Sequence, residues 1–337
     1  MSTHTKGRWG ISFPDNVEAI APERVNILAL SGGGYRGLFG AHVLSKMEAR
    51  FGTSCKDNFQ IFAGTSIGGI VACALAVGIP AKTVYESFKE NGEKIFPKKW
   101  LSFRRGFFAV KYSPVALKRV VEEILGAHSN IPLKNIKVPL LLPTVCINDS
   151  TATVLKSGGL AFDEFSSDVS LLEAAMATSA APTYLPSRLV GNRTLVDGGL
   201  VANAPDVVAI AEAVRSVCKL ENTYMLSIGT CGRPPRKGLG GSIAAGKLSW
   251  IIKHNLVGLT FDTQEQLAVE TVGLLLREKY LRIDAEASTE ERAVLGLDKA
   301  GPAATKMLDA LAVRAVGQLT QQQSQRLDDF FHFKPMF

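Results

Sequence analysis

Two kinds of apolar pattern alternate along the chain. Compact branched or apolar runs at Val25–Leu30, Asn58–Ala63, Val138–Ile147, Thr151–Lys156, Thr194–Val196 and Thr223–Ile228 predict strands. Between them, apolar positions recur at helical spacing, as at Leu38, Ala41, Leu44, Met47 and Phe51. Ile70–Val77 is a helix of small apolar residues suited to close packing, and Lys82–Asn91 and Ser113–Leu125 follow as further helices. Ser113 caps the latter with Pro114 in its first turn. Asp168 is expected to cap a helix over Val169–Thr178, and Pro205–Val217 forms another. From Gly241 onward the pattern is mostly helical, interrupted at Tyr280–Ile283. Strands alternating with helices predict one α/β domain with a largely parallel sheet, preceded by a polar arm over Met1–Arg24.

Composition narrows the class. A chain of 337 residues with 46% hydrophobic content can bury a sizeable core. The net charge of +7 suits an anionic partner such as a phospholipid surface or a nucleotide. Five scattered cysteines without a C-x-x-C pair read as free thiols in a reducing compartment. The first ten residues lack the apolar core of a signal peptide, and the longest apolar run, Ile67–Ile79, falls short of the roughly 20 residues of a membrane span. The expectation is a cytoplasmic protein with only peripheral membrane contact. Neither H-E-x-x-H nor a spaced Cys/His set occurs, so no metal or other cofactor is expected.

The chemistry centres on Gly64-Thr65-Ser66-Ile67-Gly68, a G-x-S-x-G pentapeptide between a strand and a helix. That arrangement is the form of a nucleophile elbow, whose sharp turn needs glycine at Gly64 and Gly68. A Gly-Ser loop without chemistry would fit the pentapeptide alone. Upstream, Gly32, Gly34 and Gly37 match G-x-G-x-x-G, the dinucleotide fingerprint. The acidic residue required at the end of the second strand is absent, because the serine turn stands there. The same loop can instead form an oxyanion hole from the amides of Gly32, Gly33 and Gly34, with Arg36 adding positive charge. None of the five histidines has a catalytic context. Asp197 ends a short strand and is followed by Gly198 and Gly199, which leave room for close approach, so it is the candidate general base.

Ser31-Gly32-Gly33-Gly34-Tyr35-Arg36-Gly37, the elbow pentapeptide and Asp197-Gly198-Gly199, in that order, resemble the three motifs of patatin-like phospholipases. The resemblance extends over residues 25–230 and includes Ala177–Tyr184 and Leu226–Thr230; the family often has D-G-A where this chain has D-G-G. It implies a three-layer α/β/α catalytic core over 25–230, with 231–337 as a mostly helical part packed on the same domain. It also implies a Ser66–Asp197 dyad, and an oxyanion hole at Gly32, Gly33, Gly34, Arg36 and Gly37. Asn91–Phe96 and Asp197–Pro205 further resemble the cyclic-dinucleotide-activated phospholipases of bacterial antiphage systems. That likeness implies a dormant enzyme, switched on by cyclic GMP-AMP, that degrades phospholipids at the inner face of the cell's own membrane.

Between Phe96 and Phe108, Lys98, Lys99, Arg104 and Arg105 interleave with aromatics including Trp100. The segment could seat a cyclic dinucleotide or dock on anionic lipid, and an ordinary surface loop is the alternative. The apolar tail Phe330–Phe337 is expected to pack on the body or on a second subunit, which leaves a homo-oligomer open. Neither DNA nor RNA is an expected partner. Two competing functions stand beside nucleotide-activated hydrolysis: a constitutive acyl hydrolase, and a non-hydrolytic module that binds nucleotide at the Gly32–Gly37 loop.

Overall fold

The computed structural model of the chain describes residues 22–97, 110–158, 160, 164–232 and 256–333. Lys98, Lys99, Trp100, Arg104 and Arg105 lie outside the described residues, as do most of the N-terminal arm and the last four residues.

The strands are β1 (Val25–Leu30), β2 (Ile61–Gly64), β3 (Leu140–Cys146), β4 (Thr151–Lys156), β5 (Arg188–Val190), β6 (Arg193–Asp197), β7 (Thr223–Ile228) and β8 (Tyr280–Ile283). They form one sheet in the order β5-β6-β3-β2-β1-β7-β8, with β4 also paired to β3. From β3 through β8 the neighbours run parallel. β4 and β6 are antiparallel to β3, and β5 is antiparallel to β6. The principal helices are α1 (Leu38–Phe51), α2 (Ile67–Ala76), α3 (Ala81–Ile95), α4 (Pro114–Leu125), α5 (Leu171–Thr178), α6 (Asp206–Ser216), α7 (Leu256–Leu276), α8 (Pro302–Gly317) and α9 (Gln321–His332).

All six residues of β1 are buried, because a central parallel strand is covered on both faces. Its side chains alternate between two cores. Leu28 and Leu30 join the cluster that holds α1 to α5, α8 and α9. Val25, Ile27 and Ala29 join the cluster that holds α6 and α7. The result is the α/β domain expected from the alternating pattern, in the three-layer α/β/α form that the resemblance implies.

The register of β3 places the chemistry. Leu141 pairs with Ala63 of β2 on one side and Lys156 of β4 on the other. Thr144 pairs with Thr153 of β4 and with Asp197 of β6. β2 and β6 therefore share one edge of β3, one after the other. The antiparallel β6 delivers Asp197 toward the end of β2, where the Gly64–Ser66 turn begins.

Three details differ from the pattern-based expectation. The cap of α5 is Ser170, in a capping box with Glu173, and the helix starts at Leu171. Asp168 instead pairs with Lys134 at 2.5 Å. β5 is a strand of only three residues, Arg188–Val190, too short to form a compact apolar run in the sequence. Tyr280–Ile283 is a full member of the sheet, parallel to β7. Phe330 and Phe331 at the end of α9 are buried, with Phe331 stacked on Phe51 at 4.9 Å. All five cysteines are free and buried. Among the described residues, no helix is long and apolar enough to cross a membrane.

Candidate active site

Ser66 sits between β2 and α2 with φ 56° and ψ −126°, a left-handed conformation that a non-glycine residue rarely adopts. Such a residue costs about 1–3 kcal/mol and persists only where its surroundings over-determine it. Here they do. The Ser66 amide donates to Thr178 Oγ1 at 3.1 Å, and Thr178 Oγ1 in turn donates to the Pro143 carbonyl at 2.7 Å. Thr65 Oγ1 donates to the Ala202 carbonyl at 2.6 Å. The Ser66 carbonyl accepts from Gly69 and Ile70, which starts α2.

The flanking glycines have steric causes. A Cβ on Gly64 would lie 2.3 Å from the Gly68 carbonyl oxygen, and one on Gly68 would lie 2.4 Å from that of Leu30. Both obstacles are backbone and cannot rotate away. We expect Gly64→Ala to destabilise the protein by about 3 kcal/mol or more. A fall in the urea midpoint together with lost labelling of Ser66 by a fluorophosphonate would show it; an unchanged midpoint would contradict the geometry.

The glycine loop lies against the elbow. A Cβ on Gly32 would come within 3.3 Å of Ser66 Cβ. The expected set of oxyanion donors is corrected at this residue: the Gly32 amide donates to the Asn203 carbonyl at 2.8 Å and is already used. Among the described residues, nothing accepts a hydrogen bond from the amides of Gly33, Gly34 or Ile67. Gly34, at φ 55°, also lines the pocket that contains Ser66. Gly37 serves close packing, since a Cβ there would meet Ile67 Cγ2 at 2.3 Å. Arg36 is hydrogen-bonded to the loop itself. Its Nε donates to the Gly33 carbonyl at 3.4 Å, polarising the peptide whose N–H belongs to Gly34, and its guanidinium lies against Gly232.

Asp197 is fully buried at the end of β6. Its Oδ1 accepts from the Gly199 amide at 2.7 Å; among the described residues no group completes a hydrogen bond to its Oδ2, though the Ser66 hydroxyl lies close by. Burial pushes its pKa up to about 7, and the Gly199 amide and the nearby Ser66 hydroxyl pull it back down. Gly198 and Gly199 make the approach possible: a Cβ on Gly198 would lie 2.1 Å from the Pro143 carbonyl, and one on Gly199 2.9 Å from the Phe261 ring. The second contact gives a physical reason for glycine where the family often has alanine.

Ser66 and Asp197 line one apolar pocket, about 510 Å³ counting the space at its mouth that is open to solvent, walled by Ile70, Phe88, Leu117, Tyr184, Phe261 and Leu297 among others. Phe261 and Leu297 come from beyond residue 230. No histidine among the described residues lines it; His42 packs on Tyr85, with Nδ1 2.9 Å from Asp309. Nor does any group of three His, Cys, Asp or Glu among the described residues gather as for a metal ion. A serine in a strained turn, a buried carboxylate, unused amides and an apolar trough together suit acyl transfer from an ester with a long hydrocarbon chain.

Pattern reading missed Thr178, Asn203, Glu265 and Arg282, which hold the elbow and the loop from behind.

A family model described as patatin-like phospholipase matches residues 28–210, more than half of the chain. The chain is 30% identical over 304 residues to a Pseudomonas aeruginosa protein named cGAMP-activated phospholipase, covering 87% of this chain and 89% of that one. A Vibrio cholerae protein of the same name is 30% identical over 347 residues, covering 91% of this chain and 94% of the relative. Among solved structures, VipD from Legionella pneumophila aligns with a TM-score of 0.48 at 13% identity, covering 92% of this chain and 67% of that chain.

Proposed function

The chain belongs to the patatin-like phospholipase family and is a lipid hydrolase, and on that premise we propose that Ser66 and Asp197 form its catalytic dyad. The observation that carries this reading is a fully buried carboxylate with one unpartnered oxygen beside a serine held in a strained turn. The Asp197 carboxylate takes the Ser66 hydroxyl proton as Oγ bonds to the ester carbonyl carbon. The carbonyl oxygen becomes an oxyanion facing the unused amides of Gly33, Gly34 and Ile67. Collapse of this intermediate breaks the ester C–O bond, and the departing alkoxide receives the proton from Asp197. Water then gives a proton to Asp197 and attacks the acyl-serine. Fatty acid leaves, and the proton returns to Ser66 Oγ.

The substrate in this reading is a membrane glycerophospholipid whose acyl chain enters the pocket walled by Ile70, Phe88 and Leu117. The charge of +7 would draw the enzyme to an anionic inner leaflet. Activation by a cyclic dinucleotide is supported by the names of relatives that match along nearly their whole length; a role in antiviral defence rests on the motif resemblance alone. Lys98, Lys99, Trp100, Arg104 and Arg105 are the candidate seat, having cations for phosphate and an aromatic ring for a base.

The test is fatty-acid release from phosphatidyl lipid vesicles by wild type and Ser66→Ala, with and without a panel of cyclic dinucleotides. Release by wild type alone, raised at least tenfold by cyclic GMP-AMP and weakened by Arg104→Ala/Arg105→Ala, is the expected result. Release indifferent to every nucleotide would remove the regulatory half and leave the hydrolase. No release from any lipid, with nucleotide retained at the Gly32–Gly37 loop, would favour the non-hydrolytic alternative.

A further inference from the structure

Behind the glycine loop lies a buried polar cluster that the dyad chemistry does not use. Arg282 of β8 and Glu265 of α7 have side chains only 10% and 4% exposed, and they pair through Nη2 and Oε1. Arg282 Nη2 also meets Asp284 Oδ2 at 3.0 Å, and its Nη1 donates to Ser227 Oγ at 2.8 Å and to Ser31 Oγ at 3.0 Å. Glu265 Oε2 accepts from Asn203 Nδ2 at 2.7 Å. Asn203, fully buried, is the residue whose carbonyl holds the Gly32 amide. From the other side, Thr230 Oγ1 donates to the Gly32 carbonyl at 3.2 Å.

One connected set of charges thus holds two consecutive residues. Arg282 holds Ser31 by its side chain, and Glu265 holds Gly32 through Asn203. The next two residues are Gly33 and Gly34, whose amides are unused. Burying one guanidinium and two carboxylates is a poor way to gain stability, because desolvation of each ion costs several kcal/mol and apolar packing serves as well or better. Such a cluster does fix geometry, since each member is locked by the others. Geometry is what an oxyanion hole needs: its donors must already point at the developing charge, and a misplacement of about 1 Å can cost about 10²-fold in rate.

We propose that Glu265 and Arg282 are positioning residues for the oxyanion hole, fixing Ser31 and Gly32 so that the Gly33 and Gly34 amides are aimed at the tetrahedral oxyanion. This rests on the dyad reading above. Neither side chain touches substrate; each acts through the loop backbone.

The full-length protein tests it with Ser31→Ala, Glu265→Gln and, as a control, Ser66→Ala, assayed on a p-nitrophenyl acyl ester with cyclic GMP-AMP present throughout. Ser31→Ala removes one hydroxyl without stranding a charge, since Arg282 Nη1 keeps Ser227, so it reports even where Glu265→Gln folds poorly. The native fraction is measured by circular dichroism and the rates are referred to it. Two inhibitors separate the roles: a long-chain trifluoromethyl ketone, which forms an oxyanion on a serine nucleophile, and the free fatty acid, which fills only the acyl pocket. The expected result is a three- to thirtyfold fall in kcat, KM within twofold of wild type, and a matching loss of trifluoromethyl ketone affinity with fatty-acid inhibition unchanged. A merely structural cluster would lower the melting temperature and leave kcat and ketone affinity per native molecule within twofold, which would overturn the proposal. A rise in KM with ketone affinity intact would overturn it equally. If Ser66→Ala is inert while the other two keep full kcat, only this inference falls; if Ser66→Ala stays active, the dyad reading falls with it.

Discussion

Ser66→Ala is expected to reduce fatty-acid release by about 10⁴-fold or more, since removing a nucleophile leaves only the smaller contributions of binding and of the oxyanion donors. The same substitution should change stability little. Alanine at φ 56° meets the same backbone strain as serine, and the amide bond to Thr178 Oγ1 and the carbonyl bonds from Gly69 and Ile70 survive. Ser66→Gly makes the contrast sharper. Glycine adopts positive φ freely, so this variant loses the chemistry while relieving about 1–3 kcal/mol of strain. An inert protein with a higher melting temperature would show that the turn is strained to present an oxygen. Residual turnover of Ser66→Ala above a hundredth of wild type would sink the assignment of Ser66 as nucleophile.

Much of the site could be read from local sequence because local backbone geometry demands particular residues. Gly64 faces the Gly68 carbonyl oxygen, 2.3 Å from the missing Cβ, inside the pentapeptide itself; Gly68 faces that of Leu30 on β1 at 2.4 Å, yet both constraints surface as glycines within five residues. At Asp197 too the neighbours, Pro143 and Phe261, are distant in sequence, but the room they need is recorded beside the acid as Gly198 and Gly199. What was not legible is the set of distant contacts that leave no such mark on the residue type nearby. The Gly32 amide is consumed by Asn203, 171 positions away in the chain, and no local pattern reports that. Arg282 reaches Ser31 across 251 positions. Two signals do stand in the sequence. Glu265 falls on the inward stripe of α7 with Phe261, Val269, Val272 and Leu276, and Arg282 interrupts the apolar strand Tyr280–Ile283. An ion in an apolar stripe has to find partners indoors. The error at Asp168 was of another kind: two acceptors, Asp168 and Ser170, both suit a cap, and Glu173 three residues after Ser170 completes the capping box.

Asp197→Asn should abolish most activity and yet stabilise the protein at alkaline pH, and the two effects have one cause. As the base, Asp197 must be ionised, and burial pushes its pKa up to about 7. For wild type, kcat/KM is therefore expected to rise tenfold per pH unit up to about pH 7 and to level off above it. An ordinary exposed carboxylate would give a plateau from about pH 5. In the folded protein this carboxyl holds its proton more tightly than in the unfolded chain, where its pKa is about 4. Its contribution to stability is thus fully present below pH 4 and is lost as the pH rises through 7, where the buried group ionises. The full loss is on the order of 4 kcal/mol. Asparagine keeps an oxygen to accept from the Gly199 amide and carries no charge, so it escapes that loss. Urea unfolding at pH 4 and pH 8 should show the variant gaining on wild type only at the higher pH, while its turnover falls about 10²–10⁴-fold at both. A pH–rate profile already flat at pH 5, or an Asn variant that gains equally at both pH values, would mean that Asp197 is not the buried, ionising base. The charge that activates Ser66 is in this account the charge that the fold resists, so catalysis and stability at neutral pH are opposed at a single carboxylate.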